Sequence, residues 1–283
     1  MEICALDQIQ IEKALPLVWK VFCDYEAANY SESDKQAFFD AIHDEEYISS
    51  LQAFGAFEGD TLVGIIATRN GGRHVALFFV DGAFHRQGIG RRLWNTFLEK
   101  NEAPIITVNS SIYAVEVYKK LGFEQKGMVQ EADGMQFVPM QYNHLLTRLQ
   151  DKDDKKAYDY VHEIIAKSAD SNAYYAYFDD FVEMTHSKSS FMRTRGFLLC
   201  CAQARWDTER KFEKAFEWLR VLLHDEKPTV VRQSLAALHQ VILYHPELCD
   251  SIEGELNSVD LSKYRDSMIP LIKKDINELR RVM

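Results

Sequence analysis

Gly88 and Gly90 stand two apart in HRQGIGRR. They follow the apolar, β-favouring run Val75–Val80 and open a segment whose Leu93, Phe97 and Leu98 can share one helical face. With no Cβ at either glycine, the backbone amides from Gln87 to Arg91 can approach a bound group closely. The first turn of a helix leaves its N–H groups without internal partners, and its dipole favours negative charge. Residue types in this order make a cradle for phosphate oxygens. A P-loop is excluded, because Arg91 and Arg92 follow Gly90 where lysine and a hydroxyl residue are needed. A dinucleotide fingerprint is excluded too, because Leu93 occupies its third glycine position. What is left is a pyrophosphate site of another kind.

The elements that must hold this cradle can be read from the pattern around it. Glu2–Leu6 reads as a strand and Asp7 as the cap of a helix bearing Ile11, Leu15, Val18 and Phe22, kinked at Pro16. Ser31 and Asp34 open a second helix to about His43, and the polar, aromatic connector Asp24–Ser31 lies between the two. Phe54–Phe57 and Thr61–Arg69 read as strands joined at Glu58-Gly59-Asp60, and Asn70-Gly71-Gly72 as a hairpin turn into the cradle strand. Beyond the cradle helix, Pro104–Val108 is a strand. Asn109–Phe123 reads as a helix, with Ala114, Val117, Tyr118 and Leu121 on one face and Gly122 as its C-terminal cap. Two further strands, about Glu124–Gln130 and Gln136–His144, flank an Asp133-Gly134 turn.

This order, with Y-x-x-x-G-F at Tyr118–Phe123, resembles the GNAT superfamily of N-acetyltransferases over residues 1–147. The resemblance implies an α/β GNAT fold: a mixed, mostly antiparallel sheet with helices on both faces. It also implies acetyl-coenzyme A as cosubstrate, held by the consensus Q/R-x-x-G-x-G/A, which aligns with His85, Arg86, Gln87, Gly88, Ile89 and Gly90. His85 departs from the first position, although an imidazole still donates a hydrogen bond. On the family's splayed strand, Phe79 and Val80 would offer main-chain groups to pantetheine. Ser111 stands where the family usually carries asparagine, with Asn109 close by. Arg86, Arg91 and Arg92 can face phosphates, although for Arg92 an exposed helix arginine is the preferred reading.

The implied chemistry is attack of an amine on a thioester, with coenzyme A leaving as a thiolate. Tyr118 falls on the family's acid position; a phenol with a pKa of about 10 keeps its proton at neutral pH. Its shared face with Ala114 and Leu121 leaves a packing role open. An amine with a pKa of about 10.4 must first lose a proton, which requires a base. Glu26 is the candidate, in the connector that the family places over the acceptor pocket, with Asp24, Tyr25 and Tyr30 as substrate-side neighbours. A solvated loop carboxylate is its other reading. No cysteine lies in the cradle or in Asn109–Phe123, so direct attack in a ternary complex is preferred to an acetyl-cysteine route.

The chain has 283 residues, 47% of them apolar, and a net charge of −10. Neither half has a basic excess, which argues against nucleic acid and anionic membranes as partners. Five cysteines, an odd number without a C-x-x-C pair, fit a reduced, cytoplasmic protein with no structural metal. No signal peptide or membrane span is expected. Residues 148–283 are all-α in pattern: Tyr158–Ala166, Tyr174–Met184, Met192–Ala204, Phe212–Leu223, Val230–Tyr244 and Met268–Leu279. SFMRTRGFLL and TVVRQSLAAL superpose Arg193 on Arg232 and are similar to HEAT repeats, whose stacked helix pairs recognise partners. Arg193, Arg195 and Arg232 are either interhelical ties or the lining of a groove for acidic peptides. The expected whole is an N-acetyltransferase acting on a primary amine, with a HEAT-like solenoid for partner or substrate recognition. The other expectation is an acetyl-coenzyme A sensor without turnover.

Overall fold

Asp7 accepts a hydrogen bond from Gln10 N while the Gln10 side chain accepts one from Asp7 N, a reciprocal cap that starts helix α1 (Gln8–Tyr25) straight after strand β1 (Glu2–Leu6). The computed structural model in which this is seen describes residues 1–132 and 134–283. Helix α1 continues through Pro16 without a break. Ser31 and Asp34 cap α2 (Glu32–Ile42) in the same reciprocal way, and Asp44 caps α3 (Glu45–Ser49). The chain divides into two compact units, Met1–Thr147 and Arg148–Met283.

In the first unit, β2 (Gln52–Glu58), β3 (Thr61–Arg69) and β4 (His74–Val80) form an antiparallel meander on β1. Asn70, Gly71 and Gly72 all have positive φ in the turn between β3 and β4. Helix α4 (Ile89–Lys100) crosses over to β5 (Ile105–Ser110), which lies parallel to β4. Helix α5 (Val115–Leu121) and strands β6 (Glu124–Gln125), β7 (Gln130–Ala132) and β8 (Met135–Asn143) complete the unit. The sheet order is β1-β2-β3-β4-β5-β8-β6, with β7 paired to β8. The expected Asp133-Gly134 turn involves Asp133, which lies outside the described residues.

Strand β3 alternates between two cores. Ile65 and Ala67 face α1 with Leu15 and Val18, whereas Val63 and Ile66 face α4 with Leu93, Trp94 and Phe97. Each such large side chain, fully buried, contributes roughly 1.5–3 kcal/mol.

The expected helix from Asn109 to Phe123 is corrected. Asn109 and Ser110 continue β5, opposite Pro139 and Val138 of β8, and the helix occupies only Val115–Leu121. Ladder pairing outweighs the weak helical preference of Asn-Ser-Ser. Gly122, at φ 100°, ends this helix as anticipated.

The second unit is helical: α7 (Asp154–Ser168), α8 (Phe178–Thr185), α9 (Ser190–Ala202), α10 (Lys211–Leu219), α11 (Pro228–Tyr244), α12 (Cys249–Ser258) and α13 (Ile269–Arg280), with α6 (His144–Leu149) ahead of them in sequence. Tyr175–Tyr177 and Arg220–His224 are 3-10 turns, not parts of longer α-helices. Helix α12 was not anticipated, because only Ile252 and Leu256 of its residues are buried. The three arginines are interhelical ties. Arg193 grips Asp225, Arg232 grips Asp275, and the buried Arg195 reaches Leu149 O (3.0 Å) and Asp154 (3.0 Å). No helix among the described residues is long and apolar enough to cross a membrane.

Candidate functional site

The central feature of the first unit is a gap inside its own sheet. Among the described residues, β4 and β5 pair only at His74 with Thr107 and at Val75 with Val108. Beyond Val75, β4 stays with β3 and β5 stays with β8, so the two parallel strands part. The cause is local. Ala67 pairs with Leu77 and Thr68 with Val75, which leaves Ala76 as an extra residue in β4. A bulge of this kind bends and twists its strand.

The gap opens into a cavity of about 1130 Å³, counting the solvent at its mouth. Glu26, Tyr30, Phe79, Asn109, Ser111 and Tyr118 all line it. Residues 92 positions apart in sequence, Glu26 and Tyr118, thus reach one space. Glu26 is the residue that ends α1, its N–H donating to Phe22 O (2.9 Å). Burial raises its carboxyl above the usual carboxylate range, and the Ser111 hydroxyl pulls it back. Ser111 Oγ is itself buried without a hydrogen-bond partner among the described residues, so its influence on Glu26 is one of proximity. Tyr118 is buried, and burial together with the Glu26 charge pushes its phenol well above the ordinary value. Tyr30 Oη donates to Gln136 O (3.2 Å), fastening the connector to β8.

The cradle lies where β4 ends. Gly88 caps α4 in the left-handed region at φ 78°, and Arg86 is left-handed too, at φ 62°. A Cβ built on Gly88 would meet nothing within 4 Å, so the space before α4 is open. From Arg86 onward, Arg92 N, bonded to Gly88 O (3.0 Å), is the first backbone amide with an intramolecular acceptor among the described residues. The amides of Gln87–Arg91 are therefore free to bind an anion, which fits a diphosphate.

Several anticipated side chains are engaged elsewhere. His85 Nε2 donates to Val80 O (2.8 Å), and its ring lies 4.9 Å from that of Tyr25. Tyr25 also meets Tyr113 (5.8 Å) and sits so close to Gly82 that no side chain fits there. Arg91 Nη2 donates to Lys120 O (2.7 Å), Arg92 Nη2 to Met1 O (3.3 Å) and Gln87 Nε2 to Ala83 O (3.3 Å). Asp24 is exposed on the last turn of α1 and does not line the cavity. Lys20 and Asp81 (2.7 Å) tie α1 to the end of β4, and Asp81 also accepts from Ala83 N (2.9 Å) ahead of the cradle.

Phe22, Phe38, Met135 and Phe137 line the cavity and were not anticipated. Phe22 and Phe38 stack at 4.2 Å. In the sequence, apolar residues at helical spacing read alike whether they face a core or a cavity. Among the described residues, no group of three or more His, Cys, Asp or Glu could hold a metal ion.

A family model described as an acetyltransferase (GNAT) domain matches residues 26–144. That segment is a GNAT domain. Comparison with curated proteins found no match. Among solved structures, a GCN5-related N-acetyltransferase from Rhodopseudomonas palustris is similar at 18% identity and TM-score 0.45, covering 50% of this chain and 94% of that one. PaiA N-acetyltransferase from Thermoplasma acidophilum, in complex with coenzyme A, is similar at 19% identity and TM-score 0.40, covering 50% and 99%. YjaB from Escherichia coli is similar at 22% identity and TM-score 0.41, covering 50% and 98%. The matched GNAT segment begins at Glu26 and so includes both Glu26 and Tyr118.

Proposed function

We propose that the GNAT unit transfers an acetyl group from acetyl-coenzyme A to a primary amine, by direct attack in a ternary complex. The observation that carries this reading is the gap between β4 and β5, which opens into a cavity shared by Glu26 and Tyr118 and lies on the strand that ends just before the open amides at Gly88. The amides of Gln87–Arg91 would hold the diphosphate, and the unpaired edge along Phe79 and Val80 would meet the pantetheine arm. When bound, acetyl-coenzyme A supplies the thioester.

Glu26 takes a proton from the bound ammonium to free the amine that attacks, and its raised pKa makes it a stronger base than a solvated carboxylate. Tyr118 keeps its proton. A thiol near 8.5 is already a stronger acid than a phenol near 10, and burial widens the difference. Tyr118 therefore acts as a hydrogen-bond donor to developing negative charge and does not hand over its proton completely.

Calorimetry with coenzyme A and thiol release with acetyl-coenzyme A test this reading together. Tyr118→Phe is expected to lower kcat by about tenfold or more while coenzyme affinity stays within about threefold. Full kcat in the folded variant would remove Tyr118 from the chemistry.

One observation favours a second reading, a coenzyme sensor without turnover. The Val80 carbonyl, expected to meet pantetheine, already accepts from His85. Tight coenzyme binding with no thiol release for any amine would select the sensor.

For Arg148–Met283 we propose a HEAT-like stack that recognises a partner. This is supported by the matching positions of Arg193 and Arg232, each paired with an aspartate of a later segment. Partner binding that survives Glu26→Gln would separate that role from catalysis.

A further inference from the structure

The walls of the cavity beyond the strand gap bear on the acceptor. The gap itself is a slot between β4 and β5, suited to a linear arm. Past it, the space widens between α1 and α2 on one side and β7 and β8 on the other. The walls there are Phe22, Tyr30, Phe38, Met135 and Phe137, with Glu26 the only side chain of formal charge lining the cavity among the described residues. Phe38 and Phe137 are the half-buried aromatic walls, and Phe38 is backed by the fully buried Phe22 (4.2 Å), on which Tyr30 also stacks at 6.0 Å. Tyr30 Oη bonds to Gln136 O, and the Asp34 side chain of α2 lies against Gly134. These two contacts bridge the connector and α2 to the β8 side and narrow the flank along which a polypeptide would have to lie.

Resting on the acetyltransferase reading above, we propose that the acceptor is a small primary amine carried on an aromatic or similarly bulky apolar body. Glu26 receives the one ammonium group, and the apolar body lies against Phe38, Met135 and Phe137. A second or third ammonium, as in a polyamine, would be stripped of water with no carboxylate to meet it. Transfer balances simply. The ammonium first gives one proton to Glu26, the neutral amine nitrogen then bonds to the acetyl carbon, the carbon–sulfur bond breaks with its electron pair on sulfur, and the second proton shed by that nitrogen passes to the leaving thiolate.

The test measures thiol release from acetyl-coenzyme A by the full chain with phenethylamine, spermidine and an N-terminally blocked lysine peptide. Phenethylamine is expected to exceed both others in kcat/KM by about tenfold or more. Met135→Glu, which adds a second carboxylate to the apolar wall, is expected to shrink the preference over spermidine by about tenfold, with the heat of coenzyme A binding unchanged. Equal or better turnover of spermidine or the peptide overturns the proposal, as does a preference that Met135→Glu leaves untouched. Normal heat for coenzyme A alongside a polar-amine preference sinks the acceptor class alone. Absence of that heat, with no thiol release, sinks the acetyltransferase reading and the acceptor class with it.

Discussion

Glu26 and Ser111 set how the cavity answers to pH. With Glu26 as the base proposed above, kcat/KM is expected to rise as the pH passes the pKa of Glu26, which burial has raised and Ser111 lowers. Ser111→Ala is expected to move this acidic limb to higher pH, and Glu26→Gln to abolish it with a fall of about a hundredfold in kcat/KM. The same burial has a stability cost of opposite dependence. A carboxyl whose folded pKa is raised contributes fully below the ordinary carboxylate range, about 4.3, and that contribution is lost as the pH rises through the folded value. Glu26→Gln should therefore raise Tm at pH 8 and leave it nearly unchanged at pH 4, as scanning calorimetry at the two pH values can check. Tyr118 and Glu26 were named from the sequence only through the family resemblance. Composition and spacing alone left each as a packing or surface residue. Ser111 was expected near the coenzyme; its hydroxyl also lies near Glu26, a proximity across 85 positions that no local pattern encodes.

At the level of elements, the cradle depends on one backbone angle and the gap on one register. Gly88 has open space around it but φ 78°, so Gly88→Ala is opposed by conformation and not by collision. It is expected to cost about 1 kcal/mol of stability and to weaken coenzyme A binding by tenfold or more, because the new methyl enters the space the anion needs. Calorimetry and chemical denaturation measure the two effects separately. His74 sits on one of the two rungs that still join β4 to β5, where its Nδ1 shares a hydrogen bond with Thr107 Oγ1 (2.8 Å). Burial, helped by the nearby Arg69 charge, lowers its pKa from 6.5 to about 4. An unfolded chain takes up this proton near pH 6.5 and the folded one does not. Stability is thus complete above that pH and falls as the pH drops toward 4. His74→Gln should flatten that part of the profile. The meander, the helix caps and the cradle were legible because capping residues, turn glycines and alternating apolar runs act locally. The Ala76 bulge was not, since it is a property of pairing between two strands and leaves no mark on either alone.

Over the whole molecule, the two units obey different rules. The first buries a sheet between two layers of helices, and its order could be read from alternation and turns. The second holds helices together partly by charge. Asp225 is buried, receives Arg193 Nε (2.7 Å) and Nη2 (3.0 Å), and also accepts from Lys227 N (2.8 Å). Asp225→Ala strands a largely buried guanidinium and is expected to destabilise the helical unit by about 3 kcal/mol in denaturant titration, with coenzyme A binding as the unaffected control. Asp275→Ala, which frees a more exposed Arg232, should cost about 1 kcal/mol. Both arginines could be picked out from the sequence, but not their partners, which lie 32 and 43 residues away. The parting of β4 from β5 leaves main-chain groups along Ala76–Val80 with no neighbouring strand on that side, an edge in the interior of a sheet. A molecule that settles there acts as a temporary strand, and deuterium uptake along this segment should slow whenever the gap is filled.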